Sequence, residues 1–161
     1  MRLTRYTDYA LRTLMFLALK GDELSTIQEV AGRYRISQNH LMKVVHELGV
    51  AGLVETVRGK GGGMRLARSP ELIRLGDVVR TTEPDLDLVE CFGSEGSCPL
   101  IPHSVLKTAV RRSLEAFLDQ MNEYALADLG APGRQLAALL MLEPRPAGGF
   151  SRAGSARRSR H

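Results

Sequence analysis

Over residues 7–20 the apolar positions Ala10, Leu11, Leu14, Leu17 and Ala18 recur every three or four residues. That is the spacing of a helix with one buried face, and Gly21-Asp22 ends it. A second short helix is expected over 25–33, with Ser25 as candidate cap and Ile27, Val30 and Ala31 facing inward. Arg35-Ile36 makes a brief turn. Ser37 then caps a third helix running to about residue 49 or 51. Its inner face is Leu41, Val44, Val45 and Leu48; its outer face is Gln38, Asn39, Lys43 and Glu47, with His40 and His46 nearby. Two short helices split by a tight turn, the second polar on its free face, form the helix-turn-helix pattern.

The period then changes from helical to alternating. Residues 53–57 read as a strand, residues 59–63 (Gly-Lys-Gly-Gly-Gly) as a turn, and Met64-Arg65-Leu66 as the returning strand. A hairpin with a glycine-rich tip after such a helix is a wing. Another short helix is expected over 72–81 and a loop over 83–102, which holds Pro84, Pro99 and Pro102. A long helix follows over about 105–129. Its stripe is Leu106, Val110, Leu114, Phe117, Leu118, Met121 and Tyr124. Such a helix after a compact domain suggests a dimerisation arm; an ordinary core helix would show the same stripe. Residues 134–142 add a last turn or two, and the Gly-, Ser- and Arg-rich stretch 144–161 is expected to be disordered. The predicted fold is mainly α. A winged helix-turn-helix domain (1–82) leads through a cysteine loop (83–104) to a dimerisation helix and short C-terminal helix (105–143).

Charge sharpens this picture. Residues 1–68 carry eleven Lys/Arg and six Asp/Glu, residues 69–143 six and twelve, and residues 144–161 five and none. The resulting +5, −6 and +5 sum to the overall +4. The N-terminal third is therefore built to attract phosphate, and the middle is not. Four Tyr, four Phe and no Trp argue against a single-strand binder, which needs aromatic platforms. No apolar run approaches the roughly 20 residues that span a bilayer, and the N-terminus lacks a signal-peptide pattern. With only two cysteines, a reducing cytoplasm is the expected compartment, with no membrane partner. No catalytic triad, phosphate loop or paired catalytic acids can be found, so no enzymatic activity is expected.

Three groups carry candidate chemistry. In the reading helix, Gln38 and Asn39 can pair bidentately with adenine. Lys43 can reach guanine or phosphate, and Ser37 with the first backbone amides can bind phosphate; His40 joins this end. A merely solvated helix face would hold similar residues. The added Arg2, Arg5, Arg33 and Arg35 and the basic wing favour double-stranded DNA. In the wing, Arg58 and Lys60 flank a tip almost free of side chains, which suits entry to a minor groove. Four glycines in five residues exceed what a turn needs and point to function. The third group is Cys91 and Cys98, with six residues between them, two of them glycines. They can wrap a soft metal or iron–sulfur cluster, form a reversible disulfide, or be incidental.

The segments LTRYTDYALRTL, ISQNHLMKVVHEL, VRGKGGGMRLAR and IRLGDVVRTTEP resemble the nitric-oxide-sensing NsrR branch of the Rrf-type winged-helix regulators, which also include IscR. The resemblance covers about residues 1–130. It implies a homodimer on a palindromic operator and an iron–sulfur cluster as cofactor. In that family nitric oxide attacks the cluster, DNA affinity falls, and detoxification genes are released. NsrR proteins typically offer three loop cysteines and an aspartate from the partner chain's first helix. Cys91, Cys98 and Asp8 match three of these four positions, while Ser104 stands where the third cysteine would be. IscR-type chains add a histidine where this chain has Lys107.

Several groups can complete the ligand set. His103 is adjacent, Ser104 can bind as an alkoxide, and small thiols or water can fill the position. Equally, Ser104 suits an N-cap, and Asp8 in a first helical turn favours the macrodipole without any metal. Zinc on Cys91, Cys98, His103 and Asp8 is chemically feasible. A missing cysteine should leave the cluster labile, with 2Fe–2S favoured over 4Fe–4S. The expected function is a DNA-binding repressor that senses nitric oxide through this cluster. The alternatives are a cluster-free repressor switched by thiol oxidation and an iron–sulfur protein that has lost DNA binding.

Overall fold

The computed structural model describes residues 2–86, 88, 105–130 and 133–140. Cys91, Cys98, His103 and Ser104 lie outside these described residues, as does the Arg-rich 144–161 stretch.

Helix α1 (Arg5–Lys20) starts where the Thr4 side chain accepts the Thr7 amide at 3.3 Å. It stops at Gly21, whose φ of 67° lets its N–H turn back to the Leu17 carbonyl at 2.9 Å. A side chain at that φ would be strained. Its buried face is Thr7, Ala10, Thr13, Leu14, Phe16 and Leu17. Helix α2 (Ile27–Tyr34) begins two residues later than expected. Its cap is Thr26, whose hydroxyl accepts the Glu29 amide at 3.1 Å. Ser25 is not the cap because its backbone is used elsewhere: its N–H and C=O both pair with Met64, at 2.9 and 2.8 Å. The turn to helix α3 (Gln38–Val50) passes through Arg35, left-handed at φ 55°.

Strands β1 (Val54–Val57) and β2 (Gly63–Leu66) form the antiparallel hairpin, with Val54 opposite Leu66 and Val57 opposite Gly63. The Ser25–Met64 bridge ties this hairpin to the entry of α2. A 3-10 turn (Pro70–Leu72) leads into helix α4 (Leu75–Thr82). The core joins α1, α2, α3 and the hairpin through Leu14, Phe16, Leu17, Val30, Leu41, Val44, Leu48 and Met64.

The long helix is shorter than the stripe suggests. Helix α5 is Val105–Asn122, and a separate turn, α6 (Leu126–Leu129), follows. The break has a tertiary cause. Asn122 turns its amide to α4: its Oδ1 accepts the Asp77 N–H at 3.0 Å and its Nδ2 donates to Asp77 Oδ1 at 3.1 Å. Tyr124 C=O then accepts the Leu75 amide, and the Leu126 amide donates to Ile73 C=O at 2.8 Å. The Ala125 amide meanwhile donates to Asp128 Oδ2 at 2.7 Å, so these groups find partners outside the α5 ladder. Leu114 and Leu118 pack on Val79 of α4, while Leu106 is 61% and Tyr124 52% exposed. The last helix, α7 (Gly133–Leu139), adds Ala137 to the main core.

Candidate functional site

The core fixes what α3 presents outward. With Leu41, Val44, Val45 and Leu48 buried, Gln38, Asn39, His40, Met42, Lys43 and His46 are all exposed. At 3.6 residues per turn they sort into rows. Gln38, Met42 and His46 stand one turn apart in one row, and Asn39 and Lys43 in the next. His40 lies on the flank that turns to α1, its ring centroid 6.4 Å from that of Tyr9. Ser37 occupies the N-cap position, yet its hydroxyl makes no cap bond. The first amides of a helix have no intrahelical partner, so this end keeps donors available for an anion.

The wing stands beside this helix, and Arg58 and Lys60 on it are exposed. The glycines in its tip are there for geometry, which corrects the expectation that a turn alone does not need them. Gly59 and Gly61 have positive φ, 102° and 79°. At Gly62 a Cβ would lie 2.3 Å from the Val57 carbonyl oxygen, and at Gly63 one would lie 2.8 Å from that of Ser25. The bare backbone of the tip follows from this turn. Arg65 is paired across the hairpin with Glu55, whereas Arg58 and Lys60 make no ion pair among the described residues. Arg2, Arg5, Arg33 and Arg35 are likewise exposed.

Asp8 sits in the first turn of α1 with its side chain 46% exposed, paired with Arg12 at 2.9 Å. The Arg12 guanidinium lies 6.0 Å from the Tyr34 ring centroid on α2. Sequence reasoning named Asp8 but missed Arg12, whose i+4 spacing was the available signal. It also missed the contact between α1 and the end of α4. Thr4 donates its amide to Glu83 Oε1 at 2.9 Å, and the Thr4 hydroxyl lies 3.2 Å from the same oxygen. Beneath it, the buried Thr82 and Thr7 hydroxyls meet at 3.0 Å. Glu83 is the first residue beyond α4, on the way to the cysteine loop.

Among the described residues no cluster of His, Cys, Asp or Glu could hold a metal, and no helix is long and apolar enough to cross a membrane. The donors for an iron–sulfur group are nevertheless suitable in kind. Two thiols are soft ligands, and the half-exposed Asp8 carboxylate can be reached from outside its own chain.

A helix-turn-helix with a polar reading face, a tethered basic wing and a core that holds both rigid defines a winged-helix DNA-binding regulator. A family profile described as "Rrf2: Iron-dependent Transcriptional regulator" matches residues 3–132, and the chain belongs to that family. It is a transcriptional regulator and not an enzyme. Its sequence is 52% identical over 131 residues to the HTH-type transcriptional regulator NsrR of Bacillus licheniformis, covering 80% of this chain and 92% of that one. It is 49% identical over 146 residues to NsrR of Halalkalibacterium halodurans, covering 89% and 100%. Among solved structures, T. potens IscR superposes with a TM-score of 0.68 over 93% of this chain and 95% of that one, a likeness of fold at 24% identity. CymR, the global cysteine regulator of B. subtilis, superposes with a TM-score of 0.62 at 28% identity, covering 82% and 98%.

Proposed function

We propose that this chain is a cytoplasmic, homodimeric repressor that senses nitric oxide through a labile iron–sulfur cluster and releases operator DNA when the cluster is modified. The observation that carries the DNA half is the free face of α3. Its polar side chains stand outward from a packed core, beside a basic wing fixed to the same body. Near-50% identity to NsrR regulators over most of their length supports the sensing half. Ser37, Gln38, Asn39, His40 and Lys43 face DNA at the helix end, with Arg58, Lys60, Arg2, Arg5 and Arg33 around it. Two such helices in a dimer would enter major grooves roughly 34 Å apart.

Cys91, Cys98 and the Asp8 carboxylate of the other chain would hold the cluster, with His103 or Ser104 nearest to the remaining position. When bound, it supplies an iron centre reactive toward nitric oxide. The protein's own part is transmission from the first turn of α1. Asp8 is followed by Tyr9, which touches His40 of α3. Thr4 and Thr7, just before Asp8, are held to Thr82 and Glu83. A shift of that turn therefore acts on the reading helix from one side and follows the loop entry on the other.

The test is anaerobic purification with an absorption spectrum, iron and sulfide counts and operator binding, before and after nitric oxide. A coloured protein with acid-labile sulfide that bleaches and loses DNA is expected. A colourless protein, even after anaerobic reconstitution, would sink the cluster. One observation favours a second reading: the chain has two cysteines, with Ser104 where the third would stand. A cluster-free thiol switch would then show a Cys91–Cys98 disulfide under oxidant. An iron–sulfur protein without DNA binding would show colour but no operator affinity.

A further inference from the structure

Met42 is the anomaly on the reading face. It is 53% exposed on a helix whose other outward residues up to His46 are polar or charged. The other large apolar side chain exposed on α3, Val50, is at its far end. Met42 stands one turn in from the N-terminus, between Gln38 and His46 in the same row, and next to Lys43. Residues in that first turn and a half are those that meet base edges when a helix enters the major groove. Leaving an apolar side chain of this size in water gives up the free energy its burial would release. An occupant that covers it recovers that energy.

We infer that Met42 is a base-reading residue, and that its target is the C5-methyl group of a thymine in each half-site. This rests on the DNA-binding reading above and deepens it. Charge complementarity selects DNA as the occupant of this face: Lys43, Arg58 and Lys60 are exposed around it, on the basic third of the chain. In the major groove the thymine methyl is the one apolar group among donors and acceptors, so an apolar side chain there distinguishes thymine from cytosine. The unbranched thioether can adjust three torsions to meet it. Gln38 and His46, one turn to either side, set the register along the groove through polar contacts. Asn39, in the neighbouring row, reads an adenine.

The experiment uses the full-length, cluster-loaded protein under anaerobic conditions. A random duplex pool is selected with the wild type to define the site, and each thymine is then replaced in turn by deoxyuridine, which removes only the methyl. At one symmetric pair of positions, deoxyuridine weakens wild-type binding about fourfold per half-site, the worth of one buried methyl. Met42→Ala loses that discrimination, and Met42→Leu keeps most of it. Because Met42 is outside the core, circular dichroism of both variants matches the wild type. A wild type that selects a defined site, with every deoxyuridine effect unchanged in Met42→Ala, overturns the inference while the DNA-binding reading stands. A wild type that enriches no sequence overturns both.

Discussion

Tyr34 carries a buried hydroxyl without a hydrogen-bond partner among the described residues. Burial pushes its phenol up from the ordinary 10.0 to about 12, with the nearby Arg12 charge opposing. Because folding raises this pKa, the fold favours the neutral phenol. That contribution is fully present below pH 10 and is lost as the pH rises through 12. Tyr34→Phe should flatten this alkaline loss, seen as a smaller fall in urea midpoint between pH 10 and 12. At neutral pH it should be neutral or stabilising by about 1 kcal/mol, since an unpaired hydroxyl is removed. Asn39 is a residue of the other kind, exposed on the outer face of α3. Asn39→Ala should relax sequence preference at one base position and leave the melting temperature unchanged; equal loss on matched and scrambled duplexes would refute its base-reading role. At this scale the reading face was legible, because helical period separates Leu41, Val44, Val45 and Leu48 from their polar neighbours. The α2 cap was not. Ser25 and Thr26 are both good caps by type, and only the Ser25–Met64 backbone pairing, made across the fold, assigns the role to Thr26.

Between elements, the contact that decides most is that of α4 with α5. A Cβ at Gly76 would fall 2.3 Å from the Leu118 carbonyl oxygen and 2.5 Å from Asn122 Oδ1, so the two helices cross with backbone in touch. Gly76→Ala must force them apart and should cost roughly 2 kcal/mol, as overpacking does, measured by chemical denaturation. Asn122→Ala leaves the Asp77 amide without its acceptor and should cost about 1 kcal/mol. The apolar stripe over 105–129 announced a helix but not its end. Nothing within Asn-Glu-Tyr-Ala-Leu itself breaks a helix; the break comes from bonds to residues 73–77 and from Asp128, which caps α6 at the Ala125 amide. Glu83 shows the same limitation. Its carboxylate binds the start of α1, 79 residues away, and no local pattern announces such a partner. Glu83→Ala should loosen α1 at its first turn, seen as faster amide exchange at residues 5–8 than in the wild type.

For the whole molecule, the sign pattern along the sequence sets the electrostatics of the DNA-binding proposal. The reading helix and wing belong to the basic third, while the acidic share lies in residues 69–143. Substituting Arg58 and Lys60 together by Ala should weaken matched and scrambled DNA alike and reduce the salt slope by about 2, one for each lost phosphate contact. Unchanged slopes in a titration from low to high salt would remove the wing from the interface. The winged fold and the exposed polar face of α3 were thus readable from period and charge. The metal half rested on Cys91 and Cys98, which fall outside the described residues, and on Asp8, where the carboxylate is engaged by Arg12.

The paired bonds between Ser25 and Met64 bear on how any signal must work. They fasten the hairpin to the entry of α2, so reading helix and wing are two tines of one stiff fork. Such a fork can be tilted or withdrawn but not pinched. On the sensing proposed above, a signal arriving at α1 would change the separation of two forks across a dimer, and a single half-site in isolation should hardly feel it.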